Sequence, residues 1–319
     1  MATFIVKKTT ELSIDEKKQI INLFNIVFDK NRSVEEFDNQ YLNNPMGYSY
    51  HSMMIEDDVI VGHNSGMPCY YYVNGKKVVF ACNIDTMIHP NHRGIENYYD
   101  LMSATYVEYK NDRVDVVYGF PNDNAFPLLT KLKFMKNVGR MYTYCLPYRV
   151  GGYKKSLRCL NWLSRLFCVM CVNVSMIFAS KKECSYKILK DSKTYNETRY
   201  KRMDGEYSRV VCKGVEFVYK IMNHEGVRTA FIIDVMGKSS YNFCTAVKYI
   251  LKNESANFDM IIYPGILPFL ITGMIRIPRK YEPKRFNFTC KRMSSDKELD
   301  KYIYSIDNWD INLSNYDLI

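Results

Sequence analysis

The sequence predicts an α/β chain, of the mixed-sheet α+β kind, folded as two domains. Three observations predict it. Apolar residues make up 47% of the 319 positions, enough to bury more than one core. Along the first half the apolar pattern switches between strand and helix periods in the order β-α-α-β-β-β-α-β-α-β, which is neither a doubly wound alternation nor an all-β pattern. From about residue 183 part of that order recurs without the sequence itself repeating.

The elements follow in turn. Residues 3–9 alternate as a strand. Ser13 and Asp15 then precede Ile20, Ile21, Leu23, Phe24, Val27 and Phe28, the buried stripe of a helix. Ser33 opens a second short helix with Glu36 three residues on, a capping-box arrangement that ends at Pro45 and Gly47. Strands are expected at 50–58, 59–73 and 78–90, with Asp57-Asp58 and Asn74-Gly75 as the turns between them. A glycine-bearing loop, a helix at 98–110, a strand at 114–120 and a helix from Asn124 to Lys133 complete this half. In the second half strands are expected at 215–222, 227–236, 258–265 and 285–292, with helices at 239–253 and 266–275. The turn after the second of those strands carries a lone Gly237 with no arginine beside it, so no phosphate site is expected there. These elements imply domains at 1–150 and 183–319, joined by an apolar connector at 151–182.

That connector contains the most hydrophobic stretch, residues 157–179. Arg158 and Arg165 interrupt it, leaving the run from Leu166 to Ala179 uncharged, which is shorter than the roughly 20 residues a membrane span needs. A helix packed against both halves is the first reading, and shallow peripheral contact with a membrane is the second. Ten cysteines sit mostly in apolar runs, and the N-terminus shows no leader pattern, so a cytoplasmic setting is expected. Cys168 and Cys171 form the only CxxC, with no second pair at zinc spacing. A formal charge of +10 suits phosphate-bearing partners, and residues 275–292 concentrate it, with seven basic residues against Glu282. No helix-turn-helix or aromatic-basic sheet motif accompanies that charge, so no nucleic acid is expected. Oligomeric state is not written in the sequence.

The chemistry concentrates at one loop. A strand ends at His89-Pro90, Arg93-Gly94 follows, and a helix begins near Asn97. Free backbone N–H groups and the partial positive charge of a helix N-terminus make a pyrophosphate site, and a glycine lets the backbone come close. An ordinary strand-turn-helix has the same outline.

The run from Ile88 to Glu96 resembles the coenzyme A loop of the GNAT N-acetyltransferases, written V-x-P-x-x-R-G-x-G. The run from Tyr118 to Asn122, with Leu132 to Phe134, resembles the family's next motif, in the form found where a GNAT domain is coupled to further C-terminal domains. The resemblance implies tandem GNAT folds, the C-terminal one degenerate, with acetyl-CoA as co-substrate and no metal. It implies that backbone groups of Met87 and Ile88, on a strand that splays from its parallel neighbour, hold the pantetheine and the acyl carbonyl. His92, Arg93, Gly94, Ile95, Glu96 and Asn97 would wrap the pyrophosphate, and Asn122 and Asn124 would lie near the pantetheine arm. His89 and His92 would shape the loop or face phosphate.

Four positions depart from the family pattern. Asn91 stands for Gln or Arg, Glu96 for the second Gly or Ala, Leu129 for a Tyr that protonates the leaving thiolate, and Lys133 for a Gly. Tyr118 and Tyr99 are near enough in sequence to replace the missing acid, and Tyr118 is taken as the catalytic candidate. Asp85 is the candidate base, or else a carboxylate bonded to a nearby N–H. The implied activity is acetyl transfer to an amine of a small acceptor, with an amino sugar on a nucleotide or lipid carrier as the narrower reading. Two alternatives share the fold: a Fem-like aminoacyltransferase, and a GNAT pair that binds coenzyme A or a partner without turnover.

Overall fold

A computed structural model describes residues 2–200, 207–282 and 284–316. In chain order its strands and helices begin β1 (Thr3–Lys8), α1 (Ile14–Phe28), α2 (Val34–Leu42), β2 (Tyr50–Glu56), β3 (Val59–Val73), β4 (Lys76–Ile88) and α3 (Ile95–Asn111). They continue with β5 (Val116–Gly119), α4 (Ala125–Lys131), β6 (Lys136–Arg140), β7 (Tyr142–Leu146), α5 (Val150–Tyr153), α6 (Asn161–Ile177), β8 (Ile188–Lys190) and α7 (Ser192–Arg199). The remainder are β9 (Ser208–Cys212), β10 (Val215–His224), β11 (Val227–Val235), α8 (Ser240–Asn253), β12 (Met260–Gly265), β13 (Ile275–Arg276), β14 (Asn287–Arg292) and α9 (Asp300–Ile303).

The chain divides into two compact units that are not consecutive in sequence. The first comprises Met1–Arg140, Lys187–Met203 and Asn287–Asp310; the second comprises Met141–Tyr186, Asp204–Phe286 and Ile311–Ile319. Domain limits at 150 and 183 therefore give way to an exchange of strands. β7 directly follows β6 yet joins the second unit's sheet, and β14 returns to the first. The strand expected at 285–292 in the C-terminal domain thus forms, but in the other sheet. It lies antiparallel between β5 and β6, pairing Thr289 with Gly119 and Arg292 with Val116. Without it the short, buried β5 would carry an unpaired edge, which a folded sheet does not leave bare.

The first unit's sheet runs β1-β2-β3-β4-β5-β14-β6, with β8 also on β3, and β4–β5 is its parallel pair. Local signals build it as expected. Ser13 and Glu16 cap α1 reciprocally, as Ser33 and Glu36 cap α2. Asp57-Asp58 and Asn74-Gly75 take positive φ at both positions, matching the twist of the β2–β3 and β3–β4 hairpins. One core contains Ile20, Phe24, Phe37, Met53 and Met87, from α1, α2 and the sheet; another contains Leu101, Met102, Tyr109, Val117 and Leu129, around α3. Gly66 is obligatory beneath α3, because a Cβ there would lie 1.7 Å from the Tyr109 hydroxyl.

The second unit's sheet runs β13-β7-β12-β11-β10-β9. β11 and β12 are its parallel pair, from Thr229↔Met260 to Phe231↔Ile262. Its core takes Cys168 and Val172 from α6, Phe243 and Val247 from α8, and Phe217, Ile232 and Tyr263 from the sheet. The expected connector is thus part of this unit's own core. The helix expected at 266–275 does not form. Pro268 lacks an N–H, Gly273 sits at φ +87°, and the Thr272 N–H is taken by Ser175 Oγ at 2.7 Å instead of a helical carbonyl.

Candidate functional site

β4 and β5 run in parallel register from Phe80↔Val116 to Asn83↔Gly119, and there β5 ends. Residues Ile84–Ile88 continue with β3 as their strand partner, so the strand parts from its parallel neighbour, as the resemblance implied. A bulge sharpens the parting. His63 pairs with Met87 and Ser65 with Ile84, so Asp85 and Thr86 together oppose Asn64, with Asp85 at φ 49°. The side chains of Met87 and Ile88 enter the two cores on opposite faces, which leaves their backbone as the part available to a ligand.

β4 leads through a short 3-10 turn, Pro90–His92, to the N-terminus of α3. The first intrahelical bond runs from the Tyr98 N–H to the Gly94 carbonyl, so Ile95, Glu96 and Asn97 contribute first-turn N–H groups with no acceptor inside the helix. Gly94 is the N-cap. Its φ of −173° and ψ of 158° are open to any residue, and a Cβ there would meet nothing within 4 Å. Glycine is not demanded by backbone strain here; it leaves space beside the first-turn amides. Arg93 is exposed, and its Nε donates to the Ile88 carbonyl at 3.3 Å, which ties the loop to the end of β4. Asn97 Nδ2 donates to the His92 carbonyl at 2.8 Å, so its side chain shapes the loop. Ile95 and Glu96 are exposed in the first turn.

The His92 ring turns elsewhere. Its Nδ1 lies 2.7 Å from Glu56 Oε2, on a cavity of about 400 Å³ that Asp57, His89, Gln19 and Asn22 also line. Two carboxylates beside that cavity suit a cation better than a phosphate.

The two catalytic candidates are not free. Asp85 Oδ2 accepts from the Tyr41 hydroxyl at 2.6 Å and from Arg32 Nη1 at 3.0 Å, and its side chain is nearly inaccessible. Burial, then the Asp85 charge, holds the Tyr41 hydroxyl well above the ordinary tyrosine range. Arg32 in turn lies over the Phe24 ring, 3.4 Å from its centroid. Asp85 is therefore a paired structural carboxylate that fixes the bulge, and this corrects its reading as the base. Tyr118 is corrected too. It lies on the face of β5 opposite α3, among Tyr71, Phe80, Phe288 and Trp309, and its oxygen accepts from Tyr71 at 3.2 Å. Burial raises its pKa well above the usual value, so it neither reaches a ligand nor gives up its proton readily.

Leu129 is buried beneath α3 and fills the place of the missing acid with core. Lys133, just past α4, takes φ 59°, a left-handed conformation that favours glycine. Asn122 Oδ1 accepts from the N–H groups of Asn124 and Ala125 at 3.1 and 2.9 Å, so it closes the start of α4. Asn124 is exposed, with no capping bond of its own.

Asn83 escaped the sequence reading. It stands at the last paired position before the strands part, and its Oδ1 accepts from Tyr109 at 2.6 Å. Its buried Nδ2 has no hydrogen-bond partner among the described residues, which leaves both of its N–H donors uncommitted where the strands part. An Asn inside a strand gave no signal. Among the described residues no group of three or more His, Cys, Asp or Glu side chains could hold a metal ion.

In the second unit the corresponding helix start is closed. Gly237 takes φ +58°, a Cβ on it would lie 2.6 Å from Glu183 Oε1, and the Ser240 hydroxyl bonds to Ser180. The basic 275–292 segment is divided between the two units. Arg276 stacks over Tyr142, Lys291 Nζ donates to the Lys133 carbonyl, and Arg292 pairs with Asp300 at 2.8 Å.

A family model described as an acetyltransferase (GNAT) domain matches residues 8–134. No curated protein matches the sequence. Several solved structures share the fold. A conserved Enterococcus faecalis protein of unknown function, described as a probable N-acyltransferase, aligns with a TM-score of 0.58 at 11% identity, covering 92% of this chain and 73% of its own. A GCN5-related N-acetyltransferase from Anabaena variabilis gives 0.58 at 12%, covering 91% and 73%. Eis1 from Mycobacterium abscessus gives 0.55 at 10%, covering 91% and 74%. At such identities the likeness shows the fold alone, and the family model shows that residues 8–134 match an acetyltransferase (GNAT) domain.

Proposed function

We propose that the chain takes its acyl group from acetyl-CoA, held between the parting of β4 from β5 and the N-terminus of α3, and passes it to an amine of a small acceptor. The observation that carries this reading is the open ground beside Gly94 at the start of a 17-residue helix, next to a strand that has just lost its parallel partner. These residues fit such a ligand. First-turn N–H groups of Ile95 to Asn97 and the exposed Arg93 would face the pyrophosphate, and backbone groups of Met87 and Ile88 would line the pantetheine. Glu96 is the one charge against it. Acetyl-CoA, when bound, supplies an acyl group already activated as a thioester. The chain's part is to hold that carbonyl against backbone donors and to bring a neutral amine within reach. Asn83 Nδ2, unpaired beside the parting of the strands, would be the side-chain donor that helps polarise the carbonyl.

We read the second unit as the degenerate member of a GNAT pair. The order β10-β11-α8-β12, with a parallel pair ending at Phe231↔Ile262, follows β3-β4-α3-β5, and the similar solved structures cover both units. An amino sugar on a nucleotide or lipid carrier is the narrower acceptor, supported by the seven basic residues of 275–292.

A binding protein without turnover is the second reading. Asp85 in an ion pair, Tyr118 in an aromatic core and Leu129 where the acid is expected favour it. Titration with acetyl-CoA, followed by thiol release with a panel of amines that includes nucleotide-linked amino sugars and peptide amines, separates the readings. Binding with thiol release on amines supports transfer; binding with no release on any amine supports the second reading; no binding removes transfer from acetyl-CoA and leaves the second reading only as partner binding. Release on peptide amines and not on the sugars would overturn the narrower acceptor.

A further inference from the structure

α6 carries two apolar stripes, and the second unit uses only one. Cys168, Cys171, Val172 and Ser175, at helical spacing, face inward: Cys168 and Val172 lie in the core, and Ser175 holds the loop at Thr272. Leu163, Leu166, Phe167, Met170, Val174 and Ile177, spaced three, four and seven apart, form a second stripe about 130° around the helix at 100° per residue. All six are exposed, Phe167 and Met170 each at 57% and Ile177 at 77%, with Trp162 at 67% beside them. An uninterrupted apolar face of this length on a folded unit marks a surface made to be covered.

The charges around it say what covers it. Val150 to Lys182 contains six basic residues and no acidic one: Lys154, Lys155, Arg158, Arg165, Lys181 and Lys182. Lys154, Lys155 and Arg158 precede the helix N-terminus, where the dipole favours acids, so they do not serve helix stability. Lys154, Lys155, Arg158 and Lys182 have no acidic partner among the described residues. A second copy would bring like charge against like charge in either orientation of the helices. An anionic bilayer meets both features, with acyl chains for the stripe and headgroups for the flanking cations.

The helix and the turn before it, Lys155–Ile177, are long and apolar enough to cross a membrane by length and composition. The inward stripe forbids it, because Cys168 and Val172 are committed to the protein core and Gly273 packs against Cys171. We infer that α6 docks the second unit onto an anionic lipid surface, lying in the interface plane with Trp162, Phe167 and Met170 in the acyl boundary.

Trp162 supplies the test. The other tryptophan, Trp309, is 1% exposed, so any change in emission on adding lipid comes from Trp162. The full chain is mixed with phosphatidylcholine vesicles, and with vesicles that also contain phosphatidylglycerol, and is followed by emission and by co-sedimentation. A blue shift quenched by brominated acyl chains is expected on the anionic vesicles. Phe167→Ser with Met170→Ser should weaken sedimentation about tenfold or more, since each side chain leaves the acyl boundary. Lys154→Ser with Lys155→Ser should weaken it on anionic vesicles alone. Both changes lie on solvent-facing positions, and circular dichroism confirms the fold. Trp162→Phe should keep sedimentation and lose the shift. No shift on anionic vesicles, equal binding to phosphatidylcholine alone, or a lipid-free dimer that hides Trp162 and is lost in Phe167→Ser would each overturn the inference.

Discussion

Replacing Gly94 by Asp separates ligand binding from folding more cleanly than any other change at the site. The backbone angles at Gly94 already suit an N-cap, and a Cβ meets nothing within 4 Å, so the substitution brings no strain. Asp is a better N-cap than Gly by a few tenths of a kcal/mol, and a carboxylate at a helix N-terminus adds about 0.3–1 kcal/mol, less the repulsion from Glu96. Stability should therefore hold or rise by about 0.5 kcal/mol, moving Tm by about 1–2 °C. Binding moves the other way. The new carboxylate takes the amides a pyrophosphate would use, and it repels each phosphate charge by about 1 kcal/mol at about 4 Å in solvent-like dielectric. With one or two charge-assisted bonds lost as well, the total is about 3–4 kcal/mol, or two to three decades in Kd. Calorimetric titration with acetyl-CoA, set beside a thermal melt, reads both. A folded Gly94→Asp protein that binds acetyl-CoA within about threefold of the parent would refute the placement of the donor at α3.

The paired Asp85 and the buried Tyr118 give opposite expectations. Asp85→Asn should leave Arg32 buried without its anion and lower the urea-unfolding free energy by about 3 kcal/mol; loss of turnover at unchanged stability would restore Asp85 as the base. Tyr118→Phe should leave turnover within about twofold and cost about 1 kcal/mol for the bond from Tyr71, measured by the same unfolding. Lys133→Gly should stabilise by about 0.5–1 kcal/mol, since the left-handed φ is then unstrained, and a lower midpoint would count against the reading of that turn. His63 is fully buried, bonded to His51 at 3.0 Å, and burial pushes its pKa from 6.5 down to about 4. The neutral ring's contribution is therefore present above pH 6.5 and is lost as pH falls towards 4, about 2 kcal/mol of it by pH 5. A urea midpoint flat from pH 7 to 5 would contradict this.

The first half of the chain was legible because its signals are local. Ser13, Ser33, Asp57-Asp58 and Asn74-Gly75 each determine a cap or a turn from residues within four positions, and the structure places all of them as expected. The loop from Ile88 to Asn97 was legible as a strand-loop-helix order for the same reason. Which side chain reaches the ligand was not, because that depends on partners far off in sequence. Asp85 is neutralised by Arg32, 53 positions away, and Tyr118 is enclosed by Trp309 and Phe288 on a strand that no local pattern assigns to this sheet. The exchange of β7 and β14 hides in the same way, since an antiparallel strand reads identically in either sheet and only the bare edge of β5 decides where it goes. A motif read along the chain therefore gives the backbone's share of this site, the amides of α3 and the free edge of β4. The side-chain share has to be sought among groups that tertiary packing leaves uncommitted. Asn83, whose amide N–H donors are unpaired where β4 and β5 part, is the first place to look.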